Sequence, residues 1–287
     1  MSSTYSRAKA GAHGPAPQVQ ACRPRAAGAA ASDAWRGAVF LWQQRSLYLG
    51  AAGDTSLHAS HDVKVCLALH GQFRLRLAGT SRWQTCAAAL IPSDEPHQLD
   101  GRGAQLALLY FSPELIAGER LSYAGRRVQP VAPRLLARFT PHLRRYLQHG
   151  CTEAEATELC AELIDALLPA ATARLRLDAR VAETLAGFDA APAEQPHAAE
   201  LAAAVALSPG RLAHLFSAQV GLPVRQYLLQ LRLRRALRQM NAPGSLTHAA
   251  HAAGFADSAH LSRTFRRTVG LAPSALTRHS RFFRLTE

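Results

Sequence analysis

Residues 251–273 read HAAGFADSAHLSRTFRRTVGLAP. Two large apolar residues, Leu261 and Phe265, stand four apart and so share one face of a helix. At 100° per residue, His260, Arg263 and Arg267 fall on the opposite face. Asp257 is placed to cap that helix, and Gly254 permits the tight turn before it. One face of the segment holds a fold together. The other offers guanidinium groups to a polyanion.

The same design occurs earlier in the chain. Residues 206–223, ALSPGRLAHLFSAQVGLP, align with residues 255–273 at a constant offset. Leu212 matches Leu261, Phe216 matches Phe265, Val220 matches Val269, and Gly221–Leu222 match Gly270–Leu271. A supersecondary unit used twice is therefore expected. Each copy reads as helix, tight turn, helix. Leu201 and Val205 give the first copy its inner stripe, and Ser208 followed by Pro209 opens its second helix. Leu246, Ala250 and Ala253 play the inner part in the second copy. Residues 223–240 between the copies predict one long helix of roughly 27 Å at ~1.5 Å per residue. That length suits two recognition helices entering successive major grooves on one face of DNA.

The charge agrees. From Ala206 onward there are 12 arginines against Asp257 and Glu287, whereas the preceding residues hold 21 basic and 18 acidic groups. Most of the formal net charge of +13 thus sits in the repeat-bearing third, as polyanion binding requires. The five cysteines, Cys22, Cys66, Cys86, Cys151 and Cys160, have no C-x-x-C spacing, which predicts free thiols in a reducing compartment. No run approaches a transmembrane length of ~20 apolar residues. No nucleophile–base constellation or phosphate-cradling glycine loop stands out.

The stretch AGFADSAHLSRTFRRTVGLAPSAL resembles the signature of AraC/XylS-type transcription regulators. The residues that carry the likeness are Gly254, Phe255, Leu261, Arg263, Phe265, Arg266, Arg267, Gly270 and Pro273, and about 100 residues are covered. The resemblance implies that the outward residues of both second helices meet DNA: Gly210, Arg211, Ala213 and His214 in the first, and Ser258, Ala259, His260, Ser262, Arg263, Arg266 and Arg267 in the second. Gly210, Ala213 and Ala259 have little hydrogen-bonding capacity. Readout is therefore expected to lean on Arg263, His214, thymine-methyl contacts and DNA shape. Arg266 and Arg267 suit phosphates.

From about Trp35 to Phe111 the period is near two. In QFRLRLAG, Phe73, Leu75 and Leu77 alternate with Arg74 and Arg76, and VKVCLALHG and AQLALLYF read as buried strands. Residues 78–83 suit a hairpin turn. After Pro113 the spacing turns helical, and Thr152 with Glu155 forms a capping-box pattern. SLHASHDVKVCLALHGQF and LIPSDEPHQL resemble the two motifs of cupin-like sensory domains. That likeness places His58, His61 and His97, with Trp83 and Tyr110, among effector-binding candidates. Lys64 and Cys66 stand where a cupin metal site adds a carboxylate, so no metal is assigned.

The expected fold is α+β in two domains: a cupin-like β-barrel with following helices over 35–187, and an all-α double helix-turn-helix over 197–287. Residues 1–34 read as a disordered tail and 188–196 as a linker. The expected function is sequence-specific transcription regulation in the cytoplasm, as an activator, by a protein that is not an enzyme and needs no cofactor. Its expected partners are double-stranded promoter DNA, a small-molecule effector, RNA polymerase and a second copy of the chain. A metal-dependent cupin activity fused to a DNA module, or a low-specificity nucleoid-type binder, are the alternatives. The fragment from about Glu194 onward is expected to fold alone and to bind one asymmetric site as a monomer.

Overall fold

The structure is a computed structural model that describes residues 18–19, 34–122, 127–168, 173–190, 197–240 and 246–286. Most of the expected tail, Cys22, and the 191–196 part of the expected linker lie outside the described residues.

The alternating and apolar runs form strands. In chain order these are β1 (Gln18–Val19), β2 (Arg36–Leu41), β3 (Arg45–Ala51), β4 (Val63–His70), β5 (Phe73–Leu77), β6 (Gln84–Cys86), β7 (Ala88–Ile91), β8 (His97–Asp100), β9 (Gln105–Phe111), β10 (Glu119–Ser122), β11 (Cys151–Thr152), β12 (Ala173–Arg176) and β13 (Arg281–Arg284). A six-stranded sheet runs β13-β2-β3-β9-β4-β7, and a three-stranded sheet runs β6-β5-β8. Two short pairs, β1 with β11 and β10 with β12, lie apart from them.

Period two sorts the six-stranded sheet into two faces. Val63, Val65, Leu67, Leu109 and Phe111 point one way, onto α1 (Pro133–His149) and α2 (Glu153–Leu167). The expected capping box is formed: Thr152 Oγ1 accepts from the Glu155 amide at 3.2 Å, and Glu155 Oε2 accepts from the Thr152 amide at 2.8 Å. The other face carries Val39, Leu41, Tyr48, Cys66 and Leu108 toward Phe73, Leu75 and Leu99 of the smaller sheet. Arg74 is exposed between buried Phe73 and Leu75, as the alternation requires.

The remaining helices are α3 (Ala179–Ala190), α4 (Ala198–Ala204), α5 (Pro209–Val220), α6 (Val224–Gln239), α7 (Leu246–Ala252), α8 (Ser258–Val269) and α9 (Pro273–Thr277). They complete two different cores. Val181, Leu185 and Phe188 of α3 join Leu212 and Phe216 of α5 and Tyr227 and Leu231 of α6. The second unit has no separate core. Ala250, Phe255, Leu261, Phe265, Leu271 and Leu276 bury into the same cluster as Val39, Tyr48 and Leu108 of the β domain.

The strand β13 adds to this junction. It runs parallel to β2, with Arg281 opposite Ala38 and Arg284 opposite Leu41. Phe283 stacks on Phe40 at 5.2 Å, and the Thr286 amide donates to Glu153 Oε1 at 2.8 Å. The C-terminal part is therefore helical apart from one strand given to the other domain's sheet. A free-standing 194–287 fragment, expected from the sequence, would lose that pairing and expose Leu271, Leu276 and Phe282. Such a fragment also lacks α3, whose Phe188 packs on Phe216, and is expected to melt at a lower temperature than the full chain. Paired thermal melts followed by circular dichroism check this.

Candidate nucleic-acid interface

The two second helices of the repeat, α5 and α8, are built alike. Ser208 caps α5 by accepting from the Arg211 amide at 3.3 Å, and Pro209 sits at the first helical position. Asp257 caps α8 by accepting from the His260 amide at 2.6 Å, which holds its carboxyl below the usual range. Both helices end on a left-handed glycine, Gly221 at φ 87° and Gly270 at φ 84°, where only glycine is free of strain. Phe216 and Phe265 are both fully buried. The periodic apolar stripe thus turns the rest of each helix outward.

On α5, Gly210, Arg211, Ala213 and His214 are exposed. On α8, Ala259, Arg263, Arg266 and Arg267 are exposed, while Ser258, His260 and Ser262 are partly covered. Ser262 Oγ donates to the Ser258 carbonyl at 2.8 Å, and His260 packs edge-on to Phe255 at 5.2 Å. The long helix α6 joins the units as expected, with Pro223 at its cap.

Both α5 and α8 are touched at their C-terminal ends by the β domain. The Ser56 amide and hydroxyl both donate to the Gly270 carbonyl, at 2.7 and 2.9 Å. Beside Gly221 lies the Arg120 guanidinium, near enough that an added Cβ would stand 2.9 Å from it. Arg234 of α6 pairs with Asp62 of the β domain. Between these contacts runs a mostly apolar cavity of about 80 Å³. Tyr48, Leu108 and Tyr110 wall it from the sheet, and Leu233, Leu237 and Phe265 wall it from α6 and α8.

The three histidines singled out in the sequence do not converge. His58 and His97 face each other across a two-residue bridge with ring centroids 4.3 Å apart. Each donates through Nδ1 to the carbonyl two residues earlier, at 2.9 Å to Ser56 and 2.8 Å to Glu95. Lys64 Nζ donates to His97 Nε2 at 3.2 Å and so engages the lone pair that a metal would need. His61 lies elsewhere, with Nδ1 3.2 Å from Asp94 and Nε2 3.1 Å from Glu114. Tyr110 lines the interdomain cavity, and Trp83 sits at the surface beneath Arg74 and Arg76. Asp62, Glu114, Arg120 and Arg234 were not singled out in the sequence, because only the docking of the two domains brings them together.

Burial and the nearby Lys64 ammonium push His58 down to about 3, and His97 is lowered by the same causes. His61 is raised to about 9: burial opposes its charge, but the hydrogen bonds it donates to the Asp94 and Glu114 carboxylates outweigh it. Neutral His58 contributes stability that is complete above pH ~6.5 and is lost as pH falls toward 3. Charged His61 contributes stability that is complete below pH ~6.5 and is lost as pH rises through 9. The melting temperature is therefore expected to peak near neutrality. His61→Gln should remove the decline between pH 7 and 9.5 and lower the plateau. An unchanged alkaline decline in that variant would assign it to other groups.

Comparison with known proteins agrees with this geometry. The sequence profile of a helix-turn-helix domain family matches residues 201–279. An AraC-like transcription regulator of Streptomyces antibioticus is 36% identical over 105 residues, covering 36% of this chain and 34% of its own. The HTH-type transcriptional activator RhaS of Pectobacterium carotovorum is 43% identical over 65 residues, covering 22% and 23%. The chain spans about a third or less of the length of these curated relatives. In structure, an apo point variant of ToxT from Vibrio cholerae superposes with a TM-score of 0.57 at 12% identity, over 82% of this chain and 97% of ToxT. A ToxT structure with a bound unsaturated fatty acid superposes with a TM-score of 0.53 at 12% identity, over 81% and 94%. Such identities speak to fold alone. Residues 201–279 thus match a helix-turn-helix domain, and they are set on a β-rich N-terminal domain in a two-domain fold similar to that of ToxT.

Proposed function

We propose that the protein is a sequence-specific, cytoplasmic transcription regulator in which a small molecule bound by the N-terminal domain alters how the helix-turn-helix pair meets promoter DNA. The observation that carries this reading is the repeat itself. Two identically capped helices, one apolar stripe each, present Arg211 and His214 and then Arg263 and Arg267 to solvent. The working division is a cupin-like sensory domain and a DNA-binding domain over 197–287, with α3 packed on the DNA-binding side rather than closing the sensory domain at 187. Activation through RNA polymerase, binding as a homodimer, and the absence of catalysis complete the proposal.

Arg263 is assigned to base readout, because it stands opposite Phe265 and a guanidinium can hold guanine through two bonds. Arg263→Ala is expected to cost ~1–3 kcal/mol of DNA affinity and to relax preference at one base position. Equal loss on every sequence would reassign it to a phosphate. A wild-type chain with equal affinity for all sequences at one salt concentration would favour the nucleoid-type reading instead.

The effector is assigned to the cavity between sheet and α6–α8, with Tyr110 on its wall. At about 80 Å³ the cavity admits a short apolar segment, and a longer molecule must part α6 and α8 from the sheet. That is the differential affinity between two states through which a ligand shifts an equilibrium. An unsaturated fatty acid, the class held by one ToxT structure, is the first probe. At 100 times its Kd, a ligand of the folded chain adds about 2.7 kcal/mol of stability. Leu237→Phe should abolish that shift while DNA affinity persists. If no small molecule changes stability or DNA binding, the β domain is an assembly module.

A further inference from the structure

The space bounded by α5, α6, α8 and the β-domain residues Leu57–Ala59, Asp94 and Pro96 is a groove of about 1230 Å³. Ala213 and Ser217 of α5 line one side, and His260 and Arg267 of α8 line the other. Its floor is α6, which contributes Arg225 and Arg232. These are the two arginines of α6 on the groove lining. Arg234 has Asp62, whereas neither Arg225 nor Arg232 pairs with a carboxylate among the described residues. The Arg232 Nε is buried and lacks a hydrogen-bond partner among the described residues. Burial and the neighbouring guanidiniums of Arg225 and Arg235 push Arg232 below the usual arginine range. The one carboxylate on the groove wall, Asp94, is held by His61 at 3.2 Å. The groove is therefore cationic on its floor and on one wall, with its single acid already engaged.

A duplex whose successive major grooves receive α5 and α8 must carry a backbone across the space between them, because a minor groove and its flanking phosphates separate two major grooves on one face. The α6 floor is what that backbone crosses. We propose that Arg225 and Arg232 bind the phosphodiesters of the DNA strand that crosses between the two recognition helices, so that the linking helix is itself a third DNA contact. This rests on the DNA-binding reading above and adds to it a site that neither repeat contains. Phosphate would offer acceptors to the outer nitrogens of both guanidiniums and relieve their mutual repulsion.

The test uses the full chain on its selected site. Ethylation interference on the wild type should show phosphates between the two protected major-groove segments whose modification blocks binding. The Arg225→Gln/Arg232→Gln variant should lose that central interference, and the log–log dependence of affinity on salt should flatten by about 1.8 for two phosphates at ~0.9 each. Base preference within the two outer segments should not change. The Arg225→Lys/Arg232→Lys variant should keep most of the salt slope, since charge is retained. Wild-type binding with no interference between the segments overturns the proposal whatever the variants do, and so does an unchanged salt slope in a folded Gln variant. A wild-type chain that binds no DNA defeats the broader reading instead, and the two failures are distinct.

Discussion

Phe265→Ala is expected to cost about 3–5 kcal/mol of stability, the usual range for emptying a buried aromatic site. Against a typical total of ~5–15 kcal/mol this is a large fraction. Phe265 is fully buried, and its neighbours belong to both the second unit and the β domain. Phe216→Ala removes the equivalent ring from the first unit, where Tyr227 stands at 5.5 Å and Phe188 at 6.1 Å. Its cost should be similar, but its location differs. Hydrogen exchange should quicken in α3–α5 for Phe216→Ala. For Phe265→Ala it should quicken in α7 and α8 and also in β2 and β3. Unchanged protection of β2 and β3 in the second variant would show that the second unit and the sheet do not share a core.

The second large effect concerns the two glycines that end the recognition helices. Gly221→Ala places a side chain at φ 87° beside the mobile end of Arg120, so the cost is about 1–2 kcal/mol of left-handed strain. Gly270→Ala adds to that strain an overlap with His58 Nδ1 and an approach of 2.8 Å to Thr55 Cβ. Those groups are buried and cannot swing aside. Relief requires breaking the two Ser56 hydrogen bonds to the Gly270 carbonyl, and the total is expected to be roughly 2–4 kcal/mol. Thermal or urea melts of the two variants side by side give the comparison. Equal costs would mean that the rim loop at Ser56 yields freely, and the tight seat assigned to Gly270 would be wrong.

The helix-turn-helix pair was legible because its determinants are local. Ser208 and Asp257 cap, Gly254, Gly221 and Gly270 turn, and Leu261 and Phe265 set the period, all within a short stretch of their own unit. The strands in FRLRL and VKVCLALH were legible for the same reason. The strand β13 was not, because RFFR is short and its pairing with β2 is parallel and distant in sequence. Nor was the place of α3, whose apolar stripe would suit either domain. The effector candidates show the same limit. His61 carried the same sequence signal as His58 and His97, yet its partners Asp94 and Glu114 come from loops that only the folded β domain brings near. The interdomain cavity depends on how α6 and α8 dock, and no periodicity encodes that.

The parallel pairing of β13 with β2 bears on how the chain matures. Synthesis at ~5–20 residues per second separates the two strands by on the order of ten to fifty seconds. Throughout that interval the backbone groups of β2 on the side later covered by β13 lack their partner, next to the apolar Ala38, Phe40 and Trp42. An open edge of that kind is a template for pairing with other nascent chains. Any polypeptide interrupted before Arg281 keeps the edge open for good. Copies that lack this strand are therefore expected to aggregate and to be degraded faster than the full chain.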